Sequence, residues 1–150
     1  MRAVIQRVSE SRVTIDDKIV GAINQGYMIL LGIEHEDQDE DIEWLVQKIF
    51  KLRVFSDDEG KMNLSIADVK GSFLVISQFT LHASTKKGNR PSYIKAARPD
   101  QAIPLYEKFK SRLSEISGLD VASGEFGGDM KVSLTNDGPV TIIIDTKLKE

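Results

Sequence analysis

Hydrophobic and polar positions change period several times along this chain, and each change marks an element. Gly26-Tyr27-Met28-Ile29-Leu30-Leu31-Gly32-Ile33 is a continuous apolar run bounded by glycines. Such a run predicts a strand covered on both faces. Before it, Ala3 to Val8, Arg12 to Ile15 and Lys18 to Ile23 predict short strands, with Asp16-Asp17 as a turn. From Asp39 to Leu52 the period becomes helical: Ile42, Leu45, Val46, Ile49 and Leu52 share one face, and acids fill the first turn. Phe55-Ser56-Asp57-Asp58-Glu59-Gly60 reads as a polar turn, and Ser72 to Phe79 returns to β character. Asp100 to Ile116 is the second helix. Its stripe is Ala102, Leu105, Tyr106, Phe109, Leu113 and Ile116, Gly118 stops it, and Pro104 lies close enough to its start to be tolerated. Asp120 to Ala122, Met130 to Thr135 and Val140 to Ile144 predict three closing strands. The pattern gives a mixed α/β protein with about seven or eight strands and two main helices. No repeat, low-complexity segment or linker divides it, so residues 1–150 are expected to form a single domain.

Composition narrows the function classes. Hydrophobic residues make up 41% and charged residues 29%, the balance of a globular chain long enough to bury its own core. With no cysteine, disulfides and thiolate chemistry are excluded. The start lacks the apolar region of a signal peptide, and no run reaches the length of a membrane span. A cytoplasmic protein is the expectation. A net charge of −3 argues against indiscriminate nucleic-acid binding, but the charge is not evenly spread. Val69 to Pro99 holds no Asp or Glu and carries six of the 20 basic residues, leaving 14 bases against 23 acids elsewhere. Lys86, Lys87, Arg90, Lys95 and Arg98 form a cationic strip there, beside Ser77-Gln78-Phe79-Thr80-Leu81-His82. The map suggests a polyanion held near hydroxyl chemistry.

Strand geometry sends Ser77 and Phe79 to one face and Gln78 and Thr80 to the other. Ser77 and Thr80 can serve one site only if the strand ends or bends near Phe79. Amides freed at such an end would stabilise an oxyanion, and a hydroxyl there would donate or attack. The plain alternative is a strand with hydroxyls facing solvent. His35 and His82 are the only histidines, which leaves little room for a catalytic triad or a multi-histidine metal site. Asn136-Asp137-Gly138-Pro139 lies between two predicted strands and carries the Asp-Gly signal of a hairpin turn. Pro139 fits that turn poorly, because a hairpin needs an amide at that point. Two readings follow: an ordinary exposed loop, or a cis bond that fixes two carbonyls as a clamp. Ser123 to Met130 is a glycine-rich loop without the lysine of a phosphate loop, and it precedes a strand. Phe126 and Met130 there offer stacking or packing surface. Glu34-His35-Glu36-Asp37 reads as a solvated loop entering the first helix.

Taken together, Ser77-Gln78-Phe79-Thr80-Leu81 and Asn136-Asp137-Gly138-Pro139-Val140-Thr141 resemble the two signature motifs of the D-aminoacyl-tRNA deacylase (D-tyrosyl-tRNA deacylase) family. The resemblance runs end to end. It includes Ile5-Gln6-Arg7-Val8, Gly60-Lys61-Met62-Asn63-Leu64-Ser65 and Lys87-Gly88-Asn89-Arg90-Pro91-Ser92. Phe79 and Asp137 to Val140 match the D-specific branch rather than a related deacylase that acts on mischarged L-alanine. Gly128 departs from the alanine expected before Asp129-Met130. With the pattern above, the resemblance implies a mixed, largely antiparallel β-sheet in a barrel-like arrangement with two main helices outside.

It further implies hydrolysis of the ester between a D-amino acid and the terminal adenosine of tRNA, with glycine accepted, including glycine mischarged on alanine tRNA. Ser77, Gln78, Phe79 and Thr80 would be catalytic, and Gly138, Pro139, Phe126 and Met130 would bind substrate. The five strip cations would hold tRNA phosphates. No cofactor or metal is implied. The partner would be a second copy of the chain, whose Gly138-Pro139, with a cis bond, reaches into the first copy's pocket as an exposed loop tip. An aminoacyl ester is already activated and has a ribose hydroxyl beside it, so orientation and oxyanion donors can suffice without a triad. Thr80 is placed first as a backbone donor and positioner and only second as a nucleophile. Two other classes remain open: an RNA-binding module without turnover, and an esterase for free D-amino-acid derivatives that would not need the strip.

Overall fold

The computed structural model describes residues 1–149. Its strands are β1 (Arg2–Ile15), β2 (Lys18–Ile23), β3 (Gly26–Gly32), β4 (Arg53–Ser56), β5 (Met62–Ser65), β6 (Ser72–Ser77), β7 (Val121–Ser123) and β8 (Lys131–Asp145). The helices are α1 (Asp39–Lys51) and α2 (Pro99–Ser117), with a short 3-10 helix at Phe79–His82. In the main sheet β8 pairs antiparallel with nearly the whole of β1 on one edge. On its other edge β1 pairs antiparallel with β3 along its first half and with β2 along its second. β6 and β7 then continue from β3 in parallel. The small hairpin β4–β5 stands apart from this sheet.

The sheet curls until β2 comes back against β7. A Cβ built on Gly21 of β2 would sit 2.7 Å from the Ser123 carbonyl oxygen, so only glycine lets the two backbones close to this distance. Inside the curl Val8, Val13, Met28, Leu74 and Ile76 form a core. The opposite face carries Tyr27, Ile29, Leu31, Phe73 and Val75, and both helices cover it with Ile42, Leu45, Val46 and Ile49 from α1 and Ala102, Tyr106, Phe109 and Leu113 from α2. β3 is therefore packed on both sides, as its unbroken apolar run requires. Each Val, Leu, Ile, Phe or Met among these contributes about 1.5–3 kcal/mol by leaving water. α1 starts where the Gln38 amide donates to the Asp41 carboxylate at 2.9 Å. α2 starts with Pro99 and stops at Gly118 (φ +66°). Pro104 sits inside α2 without ending it. The barrel-like, largely antiparallel arrangement with two outer helices agrees with the sequence reading.

Several boundaries differ. Ala3–Val8 and Arg12–Ile15 are one strand, and β1 continues through Ser9-Glu10 because β8 pairs alongside it. The turn expected from Phe55 starts later. Phe55 and Ser56 belong to β4, and Asp57 then closes the turn by accepting the amides of Glu59 and Lys61 at 2.9 Å each. Asp16 and Asp17 both have positive φ, as a two-residue hairpin between β1 and β2 demands. The larger correction is Asn136 to Pro139. It is not a hairpin or loop tip but an irregular segment within β8, opposite the register shifts of β1 between Gln6 and Glu10. The strands on either side both pair with the long β1, so nothing reverses the chain there. No helix among the described residues is long and apolar enough to cross a membrane.

Two buried tyrosines give the fold a pH limit. Burial pushes the Tyr106 hydroxyl up to about 12, with a smaller lowering from a hydrogen bond with Ser123. Burial pushes Tyr27 up further, opposed by the positive charge of Arg7. The unfolded chain loses these protons near pH 10 while the folded chain keeps them, so their contribution is full below pH 10 and is lost as pH rises toward 12. Urea midpoints measured from pH 8 to pH 12 should fall beyond pH 10. The fall should be shallower in Tyr106→Phe, which also starts about 0.5–1.5 kcal/mol lower from losing its bond to the Val75 carbonyl at 2.9 Å.

Candidate active site

The bend required of the Ser77–Thr80 segment is present. β6 ends at Ser77, Gln78 leaves the strand, and the 3-10 helix begins at Phe79. The first amides of a helix have no partner in it. Those of Phe79 and Thr80 have none elsewhere among the described residues. The Gln78 side-chain amide donates to the Thr80 hydroxyl at 2.6 Å, which ties the motif's two polar side chains together. A cleft of about 310 Å³ opens here, lined by Ser77, Gln78 and Phe79 on one side and by Phe126, Asp129 and Met130 on the other. The structure thus brings five of the eight residues expected at the reacting and substrate-binding centre to one cleft, with Thr80 in the adjoining turn. Gly128 lies in the same rim, and an alanine Cβ there would approach the Ile15 side chain at 3.2 Å.

Gly138 and Pro139 do not line this cleft. They are exposed on β8, joined by a cis peptide bond, and held by neighbours on both sides. The Val140 amide donates to the Asn136 side-chain oxygen at 2.7 Å, and the Asn136 side-chain nitrogen donates to the Val140 carbonyl at 3.1 Å. Buried Arg7 donates to the Asp137 carbonyl at 2.7 Å and to the Val54 carbonyl at 2.5 Å. Sequence reading singled out neither Asn136 nor Arg7 by role. Their signal was their place in stretches that carry the family resemblance, Asn136 in the second signature motif and Arg7 in Ile5-Gln6-Arg7-Val8.

A third missed residue is Gly32, at the end of β3. A Cβ there would lie 2.9 Å from Leu81 Cβ and 3.0 Å from the Gln78 carbonyl oxygen. The Gln78 amide also donates to the Leu31 carbonyl at 2.8 Å, so the end of β3 sets the height of the turn. Gly32→Ala is expected to push the turn outward and cut kcat/KM about tenfold to a hundredfold, the cost of a shift well under 1 Å in a reacting site. The thermal midpoint, measured alongside, should move far less than the rate.

Among the described residues no side chain at the cleft is placed as a strong base. Asp129 is the one carboxylate lining the cleft among the described residues, and it is exposed and paired with Lys131 at 2.9 Å. His82 closes the 3-10 helix, but its ring is buried, with Nδ1 4.0 Å from Glu34. Among the described residues no group of three or more His, Asp or Glu is placed to hold a metal ion. What the broken strand offers beside this cleft is a pair of free amide donors, those of Phe79 and Thr80.

The cationic strip becomes a hairpin beside the site. Ser84 and Ser92 exchange backbone hydrogen bonds at 2.8 and 2.9 Å, and Lys86, Lys87 and Arg90 stand on the loop between them. Lys95 and Arg98 follow on the returning arm, which is tied to the chain beyond β3 by the Ala97 amide donating to the Ile33 carbonyl. All five are exposed, and none enters an ion pair among the described residues. Five unpaired cations beside a hydroxyl-rich turn suit an anionic polymer better than a small neutral ester.

A curled α/β sheet with free amides at a broken strand, flanked by cations that enter no ion pair among the described residues, is a class of site that suits hydrolysis of an ester on an anionic carrier. Within that class the chain belongs to the D-Tyr-tRNA(Tyr) deacylase family, whose sequence model matches residues 4–145. It is 64% identical over 150 residues to a D-aminoacyl-tRNA deacylase of Bacteroides fragilis, with all of both chains covered. It is 62% identical over 149 residues to one of Christiangramia forsetii, with 99% of each covered. Among solved structures it is similar to the c-Myc DNA Unwinding Element Binding Protein, at 40% identity and a TM-score of 0.91, covering 97% of this chain and 98% of that one.

Proposed function

We propose that this chain hydrolyses the ester between a D-amino acid and the terminal adenosine of tRNA, releasing both, in the cytoplasm. The observation that carries the reading is the break of β6 at Gln78. It frees the amides of Phe79 and Thr80 from the strand ladder beside a cleft lined by Gln78 and Phe79, in which Asp129 is the one carboxylate among the described residues. In this reading the two amides hold the developing oxyanion, each contributing about 10²–10³ in rate, and the neighbouring ribose hydroxyl assists attack. Phe126 and Met130 bound the substrate, with Phe126 braced on Tyr106 at 5.7 Å between ring centroids.

Selectivity is assigned to Gly138 and Pro139 of a second copy, whose carbonyls would hold the α-amino group and leave no room for an L side chain. Glycine, having no side chain, would pass, including glycine mischarged on alanine tRNA. Two features support the dimer. Gly138 and Pro139 are exposed yet lie outside their own cleft. Val4, Leu30 and Ile143 stand side by side across β1, β3 and β8, with Ile143 65% exposed. Leu30 pairs on its far side with Ile76 of β6, which is buried in the core and lies two residues before Gln78. A twofold pairing on the patch of Val4, Leu30 and Ile143 would let each copy donate one segment and receive one.

The direct experiment incubates matched D- and L-tyrosyl-tRNA with the protein and follows each ester. Selective loss of the D form is expected; equal loss, or none, sinks the reading. The hairpin supplies a second check. Replacing Lys86, Lys87, Arg90, Lys95 and Arg98 together should weaken binding of all tRNAs alike. It should also flatten the plot of log affinity against log salt by about one unit for each phosphate that is no longer held. An unchanged slope would mean that tRNA docks elsewhere.

A further inference from the structure

Beside the cleft lies an apolar ledge that the reading above does not use. Tyr93 is 39% exposed and meets the 54% exposed Phe79 edge-on, with ring centroids 5.0 Å apart and planes at 70°. Ile94 next to it is 84% exposed. Adjacent large apolar groups left in water on a small protein mark a contact surface. Tyr93 directly follows the Ser84–Ser92 closure of the cationic hairpin, and Lys95 follows Ile94. No acid lies between Val69 and Pro99, so the ledge sits in a setting that favours an anionic partner with flat apolar faces.

We propose that Tyr93 is the stacking platform for the terminal base of the tRNA. The inference rests on the reading that the scissile ester is held at Phe79. The base and the ester are attached to the same ribose, so the base must lie within one nucleotide of Phe79, and Tyr93 is the aromatic ring in contact with Phe79. The end of an acceptor strand is unpaired, and unpaired bases stack on exposed aromatic rings while cations take their phosphates. Stacking uses the π face common to all bases, so Tyr93 adds affinity at the terminal nucleotide without reading the rest of the tRNA. It is a binding residue and takes no part in bond making.

The test crosses two substrates with three proteins. The substrates are D-tyrosyl-tRNA with its normal terminal adenosine and the same ester on a terminal ribose without a base. The proteins are wild type, Tyr93→Phe and Tyr93→Leu, the last keeping an apolar contact on Phe79 without a π face. Wild type should lose roughly tenfold to a hundredfold in kcat/KM on the base-free substrate, through KM rather than kcat. Tyr93→Leu should show a similar loss on the normal substrate and little further loss on the base-free one, and Tyr93→Phe should behave as wild type. Equal losses of Tyr93→Leu on both substrates, or no loss on either, would overturn the platform. Affinity for uncharged tRNA reads stacking without turnover. If neither ester is cleaved by wild type while Tyr93→Leu still binds uncharged tRNA more weakly, the hydrolysis reading falls and the platform stands. Equal affinity of wild type and Tyr93→Leu removes the platform alone.

Discussion

Gly138→Ala should reduce the ratio of D- to L-ester hydrolysis by about tenfold or more, equivalent to about 1.4 kcal/mol of lost discrimination. Gly138 has φ +150°, a region that side-chain-bearing residues rarely adopt. An added Cβ would lie 2.8 Å from the Val140 side chain, 2.9 Å from the Val140 amide nitrogen and 3.2 Å from the Arg7 guanidinium. Those groups are the ones that position the segment: Arg7 holds the Asp137 carbonyl and Asn136 holds Val140. The methyl group must displace one of these partners, and the carbonyls of residues 138 and 139 then lose their fixed direction. Much of the change should appear as lost D-activity, because the grip on the amino group goes with it. Asn136→Ala should act in the same direction. It leaves the Val140 amide without its acceptor, at a cost of about 1–3 kcal/mol. Initial rates on D- and L-tyrosyl-tRNA give the ratio, and circular dichroism separates a local effect from unfolding. A variant that stays folded and keeps the wild-type ratio would rule out the clamp.

Removing the ribose hydroxyl next to the ester should slow hydrolysis by about a hundredfold or more, as expected when a group that transfers a proton in the transition state is lost. Thr80→Val should stay within about tenfold of wild type. The difference follows from the site. The Thr80 hydroxyl accepts a hydrogen bond from Gln78 at 2.6 Å, and among the described residues no acid or histidine is hydrogen-bonded to it to activate attack. What Thr80 supplies in the proposed mechanism is its amide, which the substitution keeps. Single-turnover rates for both proteins on both substrates decide the matter. If Thr80→Val is dead while the deoxy ester is still cleaved, Thr80 is the nucleophile.

The two predictions draw on information of different kinds. The Ser77–Thr80 motif could be examined from strand periodicity, which stated the condition for a shared site: an end or bend near Phe79. Only the fold could meet that condition, since the bend is set where the end of β3 meets the turn, with Gly32 against Leu81 and Leu31 accepting from Gln78. Asn136 to Pro139 went the other way. Local turn chemistry favours a hairpin there, and tertiary pairing overrides it, because β1 is long enough to pair with the strand on both sides of the irregularity.

The sequence by itself determined the elements whose signal is a sustained period or a composition. These are the doubly covered β3, the stripes of α1 and α2 and the acid-free cationic segment, because burial and charge act on each residue wherever the chain goes. It also carried the family resemblance through two motifs at a fixed separation. The tertiary structure alone decided how β1 runs unbroken, how the sheet curls until Gly21 meets Ser123, and which residues share the cleft. Ser77 and Met130 stand more than fifty positions apart, and no local preference encodes their meeting. Their proximity follows from strand pairing and core packing, in which each contact depends on where the rest of the chain has already gone.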